Sequence, residues 1–378
     1  MLPAAPAMAG LSLQQAIASA QANDPWLAGS VAREEALMAS STAAASLPDP
    51  MVSVGFANLP TDTFDFDQEA MTQFKVGVSQ VFPRGDSLVL RERQFRLRSE
   101  EQPHQRADRR AQVALQITRL WLEAYRARAT MTLIERDRGL FEQLVGIAEA
   151  NYTSALGRTR QQDLVRAQLE LTRLDDRLSA LKEALNTHRA QLGEWLVPEP
   201  VARGATPSGV PINVDVLPPI EQRRPDLQRA AATDYLGALG QVLGQHPTVL
   251  AQDSRMEATA AGIDIAEQGY RPQWRIDASY GYRDDDPFGS DRADFFSVGV
   301  AFDVPLFSES RQDQTVRSAV AATEAIRTDR ALLLRRLRGE FESGKARLHG
   351  LEARRDIYRE RLLQEMRDQA EASLAAYT

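Results

Sequence analysis

The sequence predicts a mostly α-helical protein with a minor β component, arranged as a two-fold internal repeat. Each half supplies a helix, two strands and a long helical hairpin, and the four strands form a sheet that one chain cannot close. Three observations predict this. Prolines, a glycine and aromatic residues recur at a constant offset of 222 residues. Four segments of about ten residues alternate apolar and polar side chains. Apolar residues also follow heptad spacing through two long runs.

The repeat orders everything else and is sought first. Pro25, Glu35, Ala39 and Pro50 fall on Pro247, Glu257, Ala261 and Pro272. Phe74, Val76, Gly77, Val78 and Pro83 fall on Phe296, Val298, Gly299, Val300 and Pro305, without a gap. Three proline pairs and a glycine pair in one register are not a coincidence of alanine-rich helices. The expected organisation follows. Residues 1–10, with the A-x-A pattern Ala7-Met8-Ala9, are the remnant of an export signal. Residues 11–196 are the first repeat, 197–225 a Pro/Gly-rich connection, and 226–378 the second repeat. A full second copy would continue about 40 residues beyond Thr378, so the chain is read as a fragment.

Each copy opens with an alanine-rich helix, from Leu11 to about Ser46 and from about Asp226 to Tyr270. Pro50 and Pro272 then close the helix and start a strand. Strands are expected at about 51–59 and 71–82, then 273–283 and 294–305. Trp274, Ile276, Ala278, Tyr280 and Tyr282 share one face, against Arg275, Asp277 and Ser279 on the other. Phe296, Val298, Val300, Phe302 and Val304 alternate with Ser297, Gly299, Ala301 and Asp303. In the first copy Val52, Val54, Phe56, Phe74, Val76 and Val78 alternate with Ser53, Gly55, Gln73, Lys75 and Ser79.

Such alternation fits an ordinary sheet over a soluble core or a membrane barrel. Strand lengths near 9–11 residues suit a tilted membrane strand, and aromatics gather near strand ends (Phe56, Phe82, Tyr280, Tyr282, Phe307), as in barrel girdles. Four strands cannot seal a barrel, and an open edge in lipid costs several kcal/mol per unpaired backbone group. A barrel therefore requires several chains.

The hairpin of the first copy is expected at about 87–196. Val113, Ile117, Leu120, Ala124, Ala127, Met131, Ile134, Phe141, Val145 and Ala148 follow 4-3 spacing, interrupted by Arg138. After Gly157 a second run takes over from Leu164 to Leu192, with His188 in one slot. The second copy begins the same design with Leu334, Leu337, Phe341, Gly344, Leu348 and Leu351.

Composition narrows the function classes. With 378 residues, 43% hydrophobic and 26% charged, the chain is globular. A net charge of −7 opposes nucleic-acid binding. The absence of cysteine removes disulfides and thiolate chemistry. No apolar run reaches the ~18–20 residues of a membrane helix. Gly339-Glu-Phe-Glu-Ser-Gly344-Lys345-Ala346 approaches a phosphate loop but ends in alanine and follows no strand. His104, His188, His246 and His349 are isolated, without metal-ligand spacing. No catalytic motif is present, so no enzyme activity, cofactor or metal is expected.

Helix, strand, strand and long hairpin, taken twice, resemble the TolC family of outer-membrane efflux proteins. The resemblance spans essentially the whole chain from Leu11, with Leu11-Ser-Leu-Gln-Gln-Ala-Ile17, Arg224-Pro225-Asp226-Leu227 and the tip pattern Gly157, Asp163, Ala167 as matching features. The segments Leu47-Pro-Asp-Pro50, Asn58-Leu-Pro60 and Gln80-Val-Phe-Pro83 look most like the heavy-metal resistance branch. The resemblance implies a homotrimer in the outer membrane of a Gram-negative bacterium, four strands per protomer in a shared barrel, and helices forming a periplasmic α-barrel tunnel. Its partners would be outer-membrane lipid, a periplasmic adaptor protein and an inner-membrane pump delivering metal ions or small toxic compounds. The rival reading is a periplasmic or soluble coiled-coil scaffold.

Under the resemblance Tyr152, Gly157, Arg158, Arg160 and Asp163 form the hairpin tip and gate, with solvated tip charges as the alternative. Ser154 replaces the family's usual aromatic three residues before the glycine. Lys75, Arg275, Asp277 and Asp303 should line the barrel lumen. Phe74, Val76, Val78, Trp274, Ile276, Phe296, Val298 and Val300 should face lipid. The acidic loops Asp62–Glu69 and Asp284–Asp286 should face outside as solvated loops, lacking the glycine and terminal glutamate of an EF-hand calcium site.

Overall fold

A computed structural model describes residues 11–153, 161–196, 212–220 and 235–377. The expected signal remnant 1–10 and most of the 197–225 connection lie outside the described residues. Elements run α1 (Leu13–Ala22), α2 (Pro25–Ala44), β1 (Met51–Ala57), β2 (Gln73–Phe82), α3 (Ser87–Thr153) and α4 (Gln161–Leu196). They continue with α5 (Tyr235–Gly244), α6 (Pro247–Glu267), β3 (Trp274–Tyr282), β4 (Phe295–Phe302), α7 (Gln312–Ile357) and α8 (Leu363–Tyr377). α5 lies 222 residues beyond α1 at both ends, and α6 starts 222 residues beyond α2.

The expected single helix from Leu11 to Ser46 is in fact two. Proline has no N–H to continue a helix but suits its first position, so Pro25 ends α1 and starts α2. Asp24 Oδ1 accepts from Trp26 N (3.0 Å) at that junction. The second copy does the same with His246, whose ring nitrogen accepts from Thr248 N (3.3 Å) before Pro247. His246 is thus a helix cap. α3 is longer than its heptad run, 67 residues with Pro103 inside it, a contour of about 100 Å. A π-helical segment, Tyr358–Leu362, interrupts the helical run between α7 and α8.

The chain divides into two compact units, Met1–Val31 with Arg106–Arg224 and Ala32–Gln105 with Pro225–Thr378. The first unit contains the main hydrophobic core. Val113, Ile117, Leu120, Ala124, Ala127 and Met131 of α3 are buried with Leu185, Leu192 and Leu196 of α4 and Leu13, Ala16 and Ala20 of α1. The six α3 residues, with Leu185 and Leu192, are heptad positions, which explains why α3 and α4 associate. Arg138–Asp175 (3.2 Å) and Gln168–Glu149 (3.5 Å) show that the two run antiparallel. Arg138, the interruption in the heptad, also pairs with Glu142 (3.4 Å). Beside this core Arg109 bonds Asp24, whose side chain is 2% exposed, at 2.7 Å, and lies within 6 Å of the Trp26 and Trp195 rings (5.9 and 5.5 Å).

In the second unit Leu97, Ala258 and Ala261 form a small core between α3 and α6. An Arg330–Asp253 ion pair joins α7 to α6. The heptad of the second copy behaves differently from the first: Leu334, Leu337, Phe341 and Leu348 are half-buried, Gly344 is exposed and Leu351 is 55% exposed.

Replacing a buried heptad leucine leaves a cavity, whereas trimming an exposed one does not. Leu192→Ala is expected to cost about 2–5 kcal/mol, and Val165→Ala on the exposed face of α4 less than about 0.5 kcal/mol. Urea unfolding followed by far-ultraviolet circular dichroism measures both.

Candidate functional site: a sheet with two exposed faces

The four strands form one antiparallel sheet in the order β1-β2-β3-β4. The register places mostly residues of like character opposite one another. Val52, Val54 and Phe56 oppose Val78, Val76 and Phe74. Val76, Val78, Gln80 and Phe82 oppose Tyr280, Ala278, Ile276 and Trp274. Ile276, Ala278 and Tyr280 oppose Val300, Val298 and Phe296. Because successive side chains point to opposite faces, the expected lipid-facing residues Phe74, Val76, Val78, Trp274, Ile276, Phe296, Val298 and Val300 all share one face. Lys75, Arg275 and Asp277 share the other with Ser53, Gly77, Ser279 and Ser297.

Among the described residues, no core covers either face. Val54 is 64% exposed, Phe296 73% and Val298 62%, while Arg275 and Asp277 on the opposite face are paired only with each other or with sheet neighbours (3.1 Å between them). Exposed apolar patches of this size mark surfaces that another molecule or a membrane covers. The outer edges of β1 and β4 have no ladder partner among the described residues.

Register also aligns the strand-end aromatics into two rows. Phe56, Phe74 and Tyr282 lie across the loop end, and Phe82, Trp274 and Phe302 across the helix end. Phe56 and Phe74 approach to 5.4 Å between ring centroids, Trp274 and Phe302 to 4.8 Å. The nine residues from Phe74 to Phe82 span about 26 Å along the strand, with mainly aliphatic side chains between the rows. Phe307, expected among these aromatics, lies beyond β4 and joins neither row. Tyr280 pairs with Phe296 one step inside the loop-end row.

Polar contacts hold both ends of the sheet. At the helix end, Gly85 (φ +45°) adopts the left-handed backbone that lets the chain turn from β2 into α3 within four residues. Arg84 there forms an ion pair with Asp303 and donates to the Arg271 carbonyl (2.6 Å). Asp303 also accepts from Gln273 N (2.7 Å). Asp303 lies one residue past β4, so it is a strut at the sheet's rim as well as a polar-face residue. The Gln273 amide, followed by the Arg84 guanidinium, holds its carboxyl below the usual carboxylate range. At the loop end Arg283 donates to Ala70 O (3.0 Å) and stacks 4.0 Å from the Phe295 ring. Arg292 donates to Asp67 O (3.2 Å), lacing the two acidic loops together.

Other expected features are placed as follows. Gly157, Arg158 and Arg160 lie outside the described residues; Tyr152 and Asp163 are helical in backbone, and their side chains lie outside the description. Gly339–Ala346 is internal to α7, so its phosphate-loop likeness has no loop. His188 contacts Gln191 (3.3 Å) from its heptad slot. No group of three or more His, Cys, Asp or Glu side chains suited to a metal occurs among the described residues. No described helix is long and apolar enough to cross a membrane.

No family model and no curated protein matches the sequence. Solved structures do match the fold. CusC, whose structures describe transmembrane channel formation, aligns with a TM-score of 0.73 at 14% identity over 100% of this chain and 85% of its own. The outer membrane protein VceC from Vibrio cholerae aligns at 0.71 and 16% identity over 97% and 85%. The outer-membrane channel OprN aligns at 0.64 and 18% identity over 96% and 78%. The chain therefore has the fold of the TolC-like channels: long helices with a four-stranded antiparallel sheet.

The Asp303 strut gives a pH dependence. A carboxyl with a lowered folded pKa stabilises above its unfolded value and loses that contribution as pH falls through the folded one. Sheet stability in the wild-type chain should therefore fall as pH drops below about 4, and Asp303→Asn should flatten the dependence and lower stability at pH 7. Thermal unfolding between pH 3 and 7 tests this.

Proposed function

We propose that this chain is one protomer of a homotrimeric outer-membrane channel, serving as a passive exit duct for small toxic compounds or metal ions. The observation that carries the proposal is the sheet: an apolar face between two aromatic rows, a polar face behind it, and two open edges. The row spacing of about 26 Å along the strand suits the ~25 Å apolar band of outer-membrane barrels, tilt shortening it somewhat. The polar face then lines water, with Lys75, Arg275, Asp277 and, at the rim, Asp303 along the lumen.

The open edges make assembly a physical necessity of this reading. β4 of one protomer pairs with β1 of the next, and repetition of that heterologous contact around a ring satisfies every edge group. The helices continue the duct into the periplasm. The fold shared with CusC, VceC and OprN supports the channel. The adaptor, the energy-supplying pump and the leaning towards metal ions rest on the sequence resemblance described above. In this reading the first hairpin's tip, with Tyr152, Gly157, Arg158, Arg160 and Asp163, is the gate. A coiled-coil scaffold would leave the apolar sheet face in water, which disfavours it.

The chain should fractionate with outer membranes, run as a detergent-stable trimer and form conducting pores in planar bilayers. Recovery as a soluble monomer would sink the proposal. Val298→Lys, mid-strand on the apolar face, should weaken membrane assembly by about 2–4 kcal/mol. Ser297→Lys on the polar face should leave assembly intact and shift selectivity towards anions, read as reversal potential in asymmetric salt. At the tip, Asp163→Ala should raise single-channel conductance; unchanged conductance would reduce Asp163 to a surface charge.

A further inference from the structure

A pocket of about 420 Å³ lies within the second unit, where the sheet meets the helices. Arg84, Arg91 and Arg311 line it, together with Ser87 and Gln312, the first residues of α3 and α7, and Gln273 at the foot of β3. No carboxylate lines it among the described residues. This concentration of positive charge stands out in a chain whose net charge is −7. Of the three guanidiniums, Arg84 is held by Asp303 and the Arg271 carbonyl. The side chains of Arg91 and Arg311 have no hydrogen bond or ion pair among the described residues. Nearby acids are engaged elsewhere, Asp86 with Arg271 (3.6 Å) and Asp313 with the Tyr270 hydroxyl (2.6 Å).

Two further features point the same way. The positive ends of the α3 and α7 helix dipoles lie on the pocket wall, adding to the field for an anion. The Gln312 side-chain oxygen is buried there without a hydrogen-bond partner; turned end for end, that amide offers a donor into the same space.

We propose that this pocket binds a phosphate group, presented by the headgroup of an anionic phospholipid or as the free ion. Guanidinium forks match phosphate oxygens in pairs. The volume falls within the ~300–1,000 Å³ range of small-ligand sites and leaves room for a glycerol headgroup beside the phosphate. Pro83 and Gln273 on its wall adjoin Phe82 and Trp274 of the helix-end aromatic row, the level at which lipid headgroups meet a barrel. The lipid source rests on the membrane reading above; the oxyanion chemistry does not.

Calorimetric titration of the detergent-solubilised full chain with dihexanoyl phosphatidylglycerol, dihexanoyl phosphatidylcholine and sodium phosphate tests the site. The double variant Arg91→Gln/Arg311→Gln removes two guanidiniums that hold nothing else. Phosphatidylglycerol binding at least tenfold tighter than the other two probes, and weakened at least tenfold in the variant, supports the lipid source. Equal binding of phosphate and phosphatidylglycerol, again weakened tenfold, supports the free ion. Absence of binding by both anions, or binding that the variant leaves unchanged, overturns the proposal. Bilayer conductance of the same preparations separates the two readings: a wild-type chain that conducts and binds neither anion loses only the pocket, whereas one that binds and forms no pore loses only the channel.

Discussion

A strand edge in hydrocarbon has no water to satisfy its N–H and C=O groups, and each unpaired group costs several kcal/mol. Among the described residues, the sheet of this chain has two edges without a ladder partner, on β1 and β4, and an apolar face that no core covers. On the proposed reading, this one constraint sets the oligomer, the direction of assembly and the partition of residues between lipid and water. Closing the barrel with identical copies turns both liabilities into interfaces. The same residues would be a hazard in a soluble monomer, where an exposed apolar edge invites uncontrolled pairing.

The helices meet a different demand. Long helices are marginal on propensity alone and gain their stability from packing an apolar stripe. In the first unit the stripe is buried from Val113 to Met131 of α3, against Leu185 and Leu192 of α4 and against α1. The Arg109–Asp24 pair between two tryptophans fixes the junction where α1 gives way to α2. Between sheet and helices, Arg84 and Asp303 fasten the ends of β2 and β4 to the turn after α6. The pocket with its two unoccupied arginines adjoins that fastening, so the pocket's anion chemistry and the sheet's anchorage share Arg84.

Much of this was legible in the residues because it depends on local periodicity. Alternation grouped most strand residues by face, and the observed register keeps the two groups apart, with Gln80 on the apolar face and Val81 on the polar one as exceptions. The heptads named the core of the hairpin down to Val113, Ile117 and Leu192. Proline marks the strand starts at Pro50 and Pro272, and at Pro25 it also divides the expected single helix into two. The π-segment at Tyr358–Leu362 carries no composition signal and was not foreseen. Nor was the Arg84–Asp303 strut, whose partners lie 219 residues apart. The arginine pocket was missed for the same reason: Arg84, Arg91 and Arg311 form no motif and meet only in the fold.

By itself, the sequence determined the repeat, the kinds of elements and the side of each element that must be apolar, since these follow from side-chain spacing at 2, 3.5 or 3.6 residues. Tertiary structure decided which strand-end aromatics form rows, which charges become struts and, among the described residues, which charges stay unpaired and that β1 and β4 keep bare outer edges. Those outcomes depend on cross-strand register and on contacts between residues hundreds of positions apart, and no local spacing encodes them.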